Sequence, residues 1–244
     1  MEDVYIVDGE FGLRGLERTR FRFGRDYTVF VPFGYATYSP WFEDWFQAIF
    51  LKVKERTIVT EDRCYILHRL AWHGAHVDGE FAECGVYRGG TAHVIAHALG
   101  KAPNVGKRFH LFDTFKGLPA LADKDPTGHK SGEFGDVSLG EVKDYLRGFP
   151  FVVYHPGVIP STFQEVKDES FAFVHVDIDL LQSAQDCCSF FYDRVTPGGV
   201  MIFDNYGFMR YKVGEKRAVD EFFRDKKELP ISLPTGQCLV FKLP

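Results

Sequence analysis

An open α/β sheet, mostly parallel and covered by helices on both faces, is the fold class this chain predicts. Continuous apolar runs such as FAFVHV at 171–176 and VMIF at 200–203 suit strands buried on both faces. Strand and helix patterns alternate from residue 81 onward, which specifies parallel strands joined by helical crossovers. The two apolar runs end in Asp177 and Asp179 on one and in Asp204 and Asn205 on the other. Ligands of open α/β sheets sit beyond the carboxyl ends of the strands, so these oxygens converge on one crevice.

At 244 residues and 45% hydrophobic, the chain can bury a full core. It suits one moderate domain over residues 57–244 with an appended segment at 1–56. A formal charge of -5 with scattered Lys and Arg gives no electrostatic footprint for nucleic acid. The five cysteines form no CxxC pair, which suits a reducing compartment. No basic stretch followed by an apolar one opens the sequence, and no run approaches the length of a membrane span. A cytoplasmic protein with no membrane partner is the expectation.

Taken in order, residues 1–56 are dense in Phe, Tyr and Trp, as in FRFGRDYTVFVPFGYATYSPWFEDWFQAIF. Aromatic residues most often serve packing, and a lid or a homo-oligomerisation arm is the functional alternative. Ser39 as N-cap and Pro40 at the first position predict a helix running to about Lys54. Thr60 predicts a second start, although Arg63 stands where a capping box has an acid. A strand at 81–84, a helix at 90–99 and a strand at 109–113 follow. The polar insertion from Thr114 to about Gly140 is long enough to be a lid. A strand at 151–155 precedes the two apolar runs, which a helix and a Pro-Gly-Gly turn connect. A helix over 214–226 and an antiparallel hairpin around Pro-Thr-Gly-Gln close the chain.

Two constellations carry chemistry. The stretch Glu83-Cys-Gly-Val-Tyr-Arg-Gly-Gly-Thr91 joins a strand to a helix, where glycines permit a tight turn and the helix N-terminus offers N–H groups to an anion. Asp113 ends the next strand, the place from which nucleotide-binding sheets grip ribose hydroxyls, so an adenosine-bearing cofactor is expected. The second constellation is Asp177, Asp179, Asp204 and Asn205. It offers oxygens and no sulfur, a donor set that favours Mg²⁺ or Mn²⁺ over zinc, while strand-end acids that merely cap helices are the bland reading. His93 and His97 have metal-pair spacing without the Glu of HExxH and read as packing or surface residues. His155 and His175 read as core or rim groups, and Cys84 and Cys238 as small buried hydrophobes.

Together, FAECGVYRGGTA, FHLFDTFKGLP, HVDIDL and GGVMIFDNYG resemble the macrocin O-methyltransferase family over roughly residues 57–244. The resemblance implies a Rossmann-like class I fold with seven strands, the last antiparallel, S-adenosylmethionine as cofactor and a divalent cation. It implies that Glu83, Gly85, Tyr87 and Thr91 contact the methionine half of the cofactor, that Asp113 contacts its ribose, and that Gly157 and Val158 lie near the adenine. Asn205 departs from the family, which usually has a second acid there, but the Asp…Asp-Asn set of Asp177, Asp204 and Asn205 is similar to the metal triad of catechol O-methyltransferases. Leu181 departs too, standing where the family usually has Tyr.

The expectation is therefore methyl transfer to a hydroxyl of a sugar or a related vicinal diol, with catechol-type phenols as the alternative acceptor. Asp177, Asp204 and Asn205 would hold the metal and Asp179 would take the proton, with Asp177 and Asp179 interchangeable. A nucleotide-dependent oxidoreductase is the more distant alternative, weakened by the absence of GxGxxG. A non-catalytic scaffold is the third, and the acidic cluster argues against it.

Overall fold

The computed structural model describes residues 38–244 except 103–105, 122–124 and 126–127, together with the strands β1 (Arg20–Phe23) and β2 (Tyr27–Phe30). The chain forms two compact units, Met1–Glu43 and Asp44–Pro244. In the first, β1 and β2 pair antiparallel with Arg20 opposite Phe30, and Pro40–Phe42 makes one 3-10 turn. Residues 1–19, 24–26 and 31–37 of the aromatic segment lie outside the described residues, and the reading of 1–56 as a lid or oligomerisation arm falls largely on them.

The helix expected over 39–54 is split. Ser39 makes no side-chain cap, and Glu43 is extended (φ -66°, ψ 141°), so the α-helix α1 starts only at Asp44 (Asp44–Val53). Phe46, Ile49 and Val53 of α1 are buried. Phe46 packs edge-on against Tyr65 of α2 (Glu61–Gly74), with ring centroids 5.3 Å apart, and this puts α1 in the larger unit rather than with the segment before it. Thr60 occupies the N-cap of α2 but its hydroxyl caps nothing, and Arg63 Nε donates to Thr60 Oγ1.

A seven-stranded sheet fills the larger unit. Its strands are β3 (Glu80–Cys84), β4 (Phe109–Asp113), β5 (Val152–Pro156), β6 (Phe171–Val176), β7 (Val195–Phe203), β8 (Ile231–Ser232) and β9 (Cys238–Phe241). The order is β5-β4-β3-β6-β7-β9-β8, the first five strands are parallel, and β9 runs antiparallel to both neighbours. The crossovers include α3 (Gly90–Lys101) and α5 (Leu181–Phe191), and α6 (Glu215–Phe223) precedes the terminal hairpin. Apolar clusters lie on both faces, one around Phe81, Ile95 and Phe173 and the other around Phe112, Phe171 and Phe191. Every residue of β6 is buried, which is why its sequence shows no polar alternation.

Two local expectations fail. Pro197-Gly198-Gly199 is not a turn before a strand but lies inside β7, where the register with β6 shifts as a bulge. Gly198 takes φ +84°, and a Cβ on Gly199 would stand 2.9 Å from the Ala172 carbonyl oxygen, so the strand bends without ending. The second concerns the polar stretch before β5, which contains a helix, α4 (Leu139–Tyr145). Ser138 and Glu141 form a complete capping box there, an S-x-x-E signal that was present in the sequence. All five cysteines are free and buried. Among the described residues no helix is long and apolar enough to cross a membrane.

Candidate active site

The carboxyl ends of β3, β4, β6 and β7 open on a cavity of about 320 Å³. Of the positions singled out in the sequence, Gly85, Tyr87, Thr91, Asp113, Gly157 and Val158 line it on the cofactor side. Asp177, Asp179, Asp204 and Asn205 line it on the acid side. Glu83 does not line it. Its carboxylate is fully buried and lies 2.9 Å from His175 Nδ1.

On the cofactor side the backbone is shaped by Asp113. Its Oδ2 accepts from the N–H of Val86 at 2.7 Å and of Tyr87 at 3.0 Å, and Oδ1 accepts from Phe115 N–H at 2.7 Å. One carboxylate thus ties the tip of β4 to the turn after β3 and holds Tyr87 at φ +50°. Oδ2 is filled by its two backbone bonds, while Oδ1 keeps accepting capacity for a hydroxyl. Gly85 is required by packing: at φ +89° a Cβ would lie 2.0 Å from the Asp177 carbonyl oxygen. Gly90 is likewise pressed against Arg56, whose carbonyl accepts from its N–H at 3.2 Å. Arg56, Thr57 and Ile58 line the cavity as a result, residues to which the sequence reading gave no role.

On the acid side, a chain of charges runs beneath the floor. Glu83 meets His175 Nδ1, His175 Nε2 lies 3.6 Å from Asp204 Oδ1, and Asp204 Oδ2 pairs with the Arg63 guanidinium. Gln237 Nε2 also donates to Asp204 Oδ1 at 2.9 Å. Burial alone would depress His175, but Asp204 and Glu83 on either side lift it to about 10. Burial would raise Asp204, yet His175 and Arg63 outweigh it and hold this carboxyl below its usual range. The Arg that broke the capping box is therefore the partner of a site acid. An arginine in the first turn of a helix, where an acid is favoured, is the sequence sign of this.

Asp177 and Asp179 lack such compensation. Burial, then Asp204, pushes Asp177 well up, and burial lifts Asp179 to about 6 against the opposing pull of His129 and of a Tyr211 hydrogen bond. Glu215 is pushed well up by burial and then by Asp177, and its Oε2 has no hydrogen-bond partner. Asn205 Nδ2 lies between the two acids, donating to Asp177 Oδ1 at 2.9 Å and to Asp179 Oδ1 at 3.0 Å. Among the described residues no three His, Cys, Asp or Glu side chains converge as a metal-holding group. The donor set nevertheless fits a hard cation: oxygens only, and under-compensated negative charge that a divalent ion would relieve.

His93 packs on Tyr145 and Phe149, and His97 Nδ1 meets His68 Nε2 at 3.3 Å. Residues outside the sequence-derived set reach the cavity from two loops: Leu118 and Phe134 from the insertion, and Phe208 and Tyr211 from the segment after β7.

Against known proteins, the chain is 28% identical over 144 residues to the demethyldecarbamoylnovobiocin O-methyltransferase of Streptomyces niveus, an alignment covering 54% of this chain and 55% of that one. It is 26% identical over 140 residues to the 8-demethyl-8-(2,3-dimethoxy-alpha-L-rhamnosyl)-tetracenomycin-C 4'-O-methyltransferase of Streptomyces olivaceus, covering 53% and 54%. The chain thus spans about half the length of these curated relatives. The solved structure of the O-methyltransferase NovP superposes with a TM-score of 0.65 at 23% identity, over 78% of this chain and 83% of that one, which shows a shared Rossmann-like class I fold. The family model described as macrocin-O-methyltransferase (TylF) matches residues 57–235, and the chain belongs to the macrocin O-methyltransferase family.

Proposed function

We propose that this protein transfers a methyl group from S-adenosylmethionine to a hydroxyl of a sugar, or of a related vicinal diol, carried on a small molecule. The observation that carries the reading is one cavity that joins a glycine turn tied down by Asp113 to a set of under-compensated carboxyls. A relative whose name describes 4'-O-methylation of a rhamnosyl compound supports a sugar as acceptor.

The turn at Gly85–Tyr87 and Thr91 would receive the methionine half of the cofactor, Asp113 the ribose, and Gly157 and Val158 the adenine. The reaction needs an acceptor oxygen held in line with the sulfonium carbon, and it releases one proton per methyl moved. Asp179 is the group suited to that proton: buried, lining the cavity and lifted to about 6, near the pH at which it must work. Asp177, Asp204 and Asn205 would hold a Mg²⁺ or Mn²⁺ ion, which supplies Lewis acidity that makes a bound hydroxyl easier to deprotonate. Arg63 and Gln237 keep the Asp204 carboxylate oriented.

Thermal unfolding with added ligands tests the cofactor. S-adenosylhomocysteine should raise the midpoint and NAD should leave it unchanged; the reverse pattern would return the oxidoreductase reading. Transfer of labelled methyl from S-adenosylmethionine to thymidine-diphosphate rhamnose tests the chemistry. Asp179→Asn should lower kcat by about 10²- to 10⁴-fold, and an Asp179→Asn enzyme as fast as the parent would remove Asp179 from the proton step.

A further inference from the structure

The cavity is walled by rings that the proposed chemistry does not use. Phe134 from the insertion and Phe208 and Tyr211 from the segment after β7 line it, together with Leu118 and Pro119. Tyr211 is engaged with the acids through a hydrogen bond to Asp179. Phe134 and Phe208 offer only apolar surface.

Both rings are held in place. Phe134 takes φ +63°, a left-handed conformation that a bulky residue keeps only where its surroundings impose it. Leu118 N–H donates to the Glu133 carbonyl at 2.8 Å and Gly132 N–H to the Leu118 carbonyl at 2.9 Å, which staples the insertion to the loop after β4. A Cβ on Gly117 would lie 2.5 Å from that Glu133 oxygen, so the staple needs its glycine. Beyond Phe134, Asp136 pairs with Arg88 and lies 3.4 Å from the Tyr87 hydroxyl. The Phe134 ring then meets Tyr87 edge-on, with centroids 5.6 Å apart. Phe208 is seated as firmly. The Arg63 guanidinium lies 5.1 Å from its ring centroid, and a Cβ on Gly236 would come within 2.5 Å of a ring carbon. Yet Phe208 is 37% exposed and lines the cavity, so it is a fixed wall with an open face.

Polarity and charge identify what such walls face. A hydroxyl-rich ring pressed on Phe134, Phe208, Leu118 and Pro119 would give up water and gain no hydrogen bond in return. The sugar therefore belongs at the acids, and the walls face something apolar. Among the described residues, the cavity lining carries the carboxyls of Asp113, Asp177, Asp179 and Asp204 against the guanidinium groups of Arg56 and Arg63. Arg63 is already paired with Asp204, and Arg56 lies over the Tyr145 ring, 4.2 Å from its centroid. A diphosphate would add two negative charges to this excess of acid with no spare lining cation to receive them.

We propose that Phe134 and Phe208 are specificity-determining residues, the two walls of an acceptor subsite for an apolar, ring-bearing aglycone, so that the substrate is a finished glycoside. This rests on the O-methyl transfer reading and narrows its acceptor. The flat face of the aglycone lies along the rings while its sugar reaches the acids. A glycosyl transfer that joins sugar to aglycone thus supplies the substrate, and methylation of a nucleotide-activated sugar is the disfavoured order.

The test compares acceptors that differ in what the anomeric carbon of the sugar carries: 1-naphthyl rhamnoside, methyl rhamnoside and thymidine-diphosphate rhamnose. In labelled-methyl turnover by the full chain, the naphthyl compound should have a kcat/KM about 10- to 100-fold above the other two, expressed in KM. Phe134→Ala and Phe208→Ala should each narrow its preference over methyl rhamnoside by about tenfold, while Phe208→Tyr, which keeps the ring, should hold it. Thymidine-diphosphate rhamnose used as well as the naphthyl compound overturns the proposal, and so does a preference that neither alanine variant narrows. Failure of the parent protein to bind S-adenosylhomocysteine, or to methylate any of the three, would sink the methyl-transfer reading instead. Calorimetric affinities of the naphthyl and methyl rhamnosides for the parent and for Phe208→Ala would still decide whether the rings hold the aglycone.

Discussion

At the scale of single residues, the site is a problem of charge compensation solved in two ways. Asp204 is compensated by the protein itself, through Arg63, Gln237 and His175. Removing one partner of a buried ion pair leaves a bare charge, so Arg63→Met should cost about 3–5 kcal/mol in chemical denaturation. A loss below about 1 kcal/mol would mean that Asp204 is not ionised in the fold. Asp177 and Asp179 share the Asn205 amide, a dipole where a full charge would serve better, and His129 and Tyr211 offset only part of the burial of Asp179. Asn205→Asp deletes that dipole and adds a fourth acid to Asp177, Asp179 and Asp204. The variant should therefore unfold at a lower temperature than the parent in chelator, and calorimetry should show it binding Mg²⁺ more tightly. Affinity that stays equal or falls would show that residue 205 is not a ligand. The acids at the strand tips were legible because DxD and DN close apolar runs. Arg63 and His129 were not, because each reaches the site from an element whose local pattern serves another purpose, a helix start in one case and a polar insertion in the other.

At the scale of elements, the turn between β3 and α3 is set by packing before it is set by any ligand. Gly85 and Gly132 both have positive φ, +89° and +80°, but only Gly85 faces backbone, while Gly132 faces open space. Alanine at either position takes on the left-handed penalty of about 1–2 kcal/mol. At Gly85 the Asp177 carbonyl must move as well, so Gly85→Ala should be worse than Gly132→Ala by more than about 2 kcal/mol in urea unfolding. Equal costs would mean that the β3 and β6 tips yield easily. Element order and type were readable from periodicity, because strands such as β6 are apolar on both faces and the helices between them are amphipathic. Boundaries that depend on backbone detail were not. The bulge holding Pro197-Gly198-Gly199 imitates a turn in sequence because the same residues serve both. Glu43 interrupts an apolar pattern that continues across it, and the Tyr38 hydroxyl bonds its carboxylate outside the helix.

At the scale of the whole molecule, titratable groups are buried in two populations with opposite pH behaviour, and separating them gives a test of the fold as a whole. His68 and His110 are both kept neutral, brought down to about 4 by burial first, then by His97 and Arg69 for His68 and by His155 and Arg108 for His110. Unfolded, a histidine titrates near 6.5. The folded value lies below the unfolded one, so the unfolded chain takes up a proton between about pH 6.5 and 4 that the folded chain refuses. Their contribution is complete above pH 6.5 and is lost as the pH falls toward 4. The acids Asp177, Asp179 and Glu215 work the other way, since their raised folded values make them easier to bury as the pH falls. The slope of stability against pH for the parent protein mixes both populations and separates neither. Comparison with His68→Gln and His110→Asn does separate them, because each variant removes one histidine and leaves the acids in place. Between pH 7 and pH 5 each variant should lose less unfolding free energy than the parent, by on the order of 1 kcal/mol. A loss equal to that of the parent in both variants would mean that these rings take up protons within the fold, and that the two faces of the sheet are wetter at α2 and β4 than their burial implies.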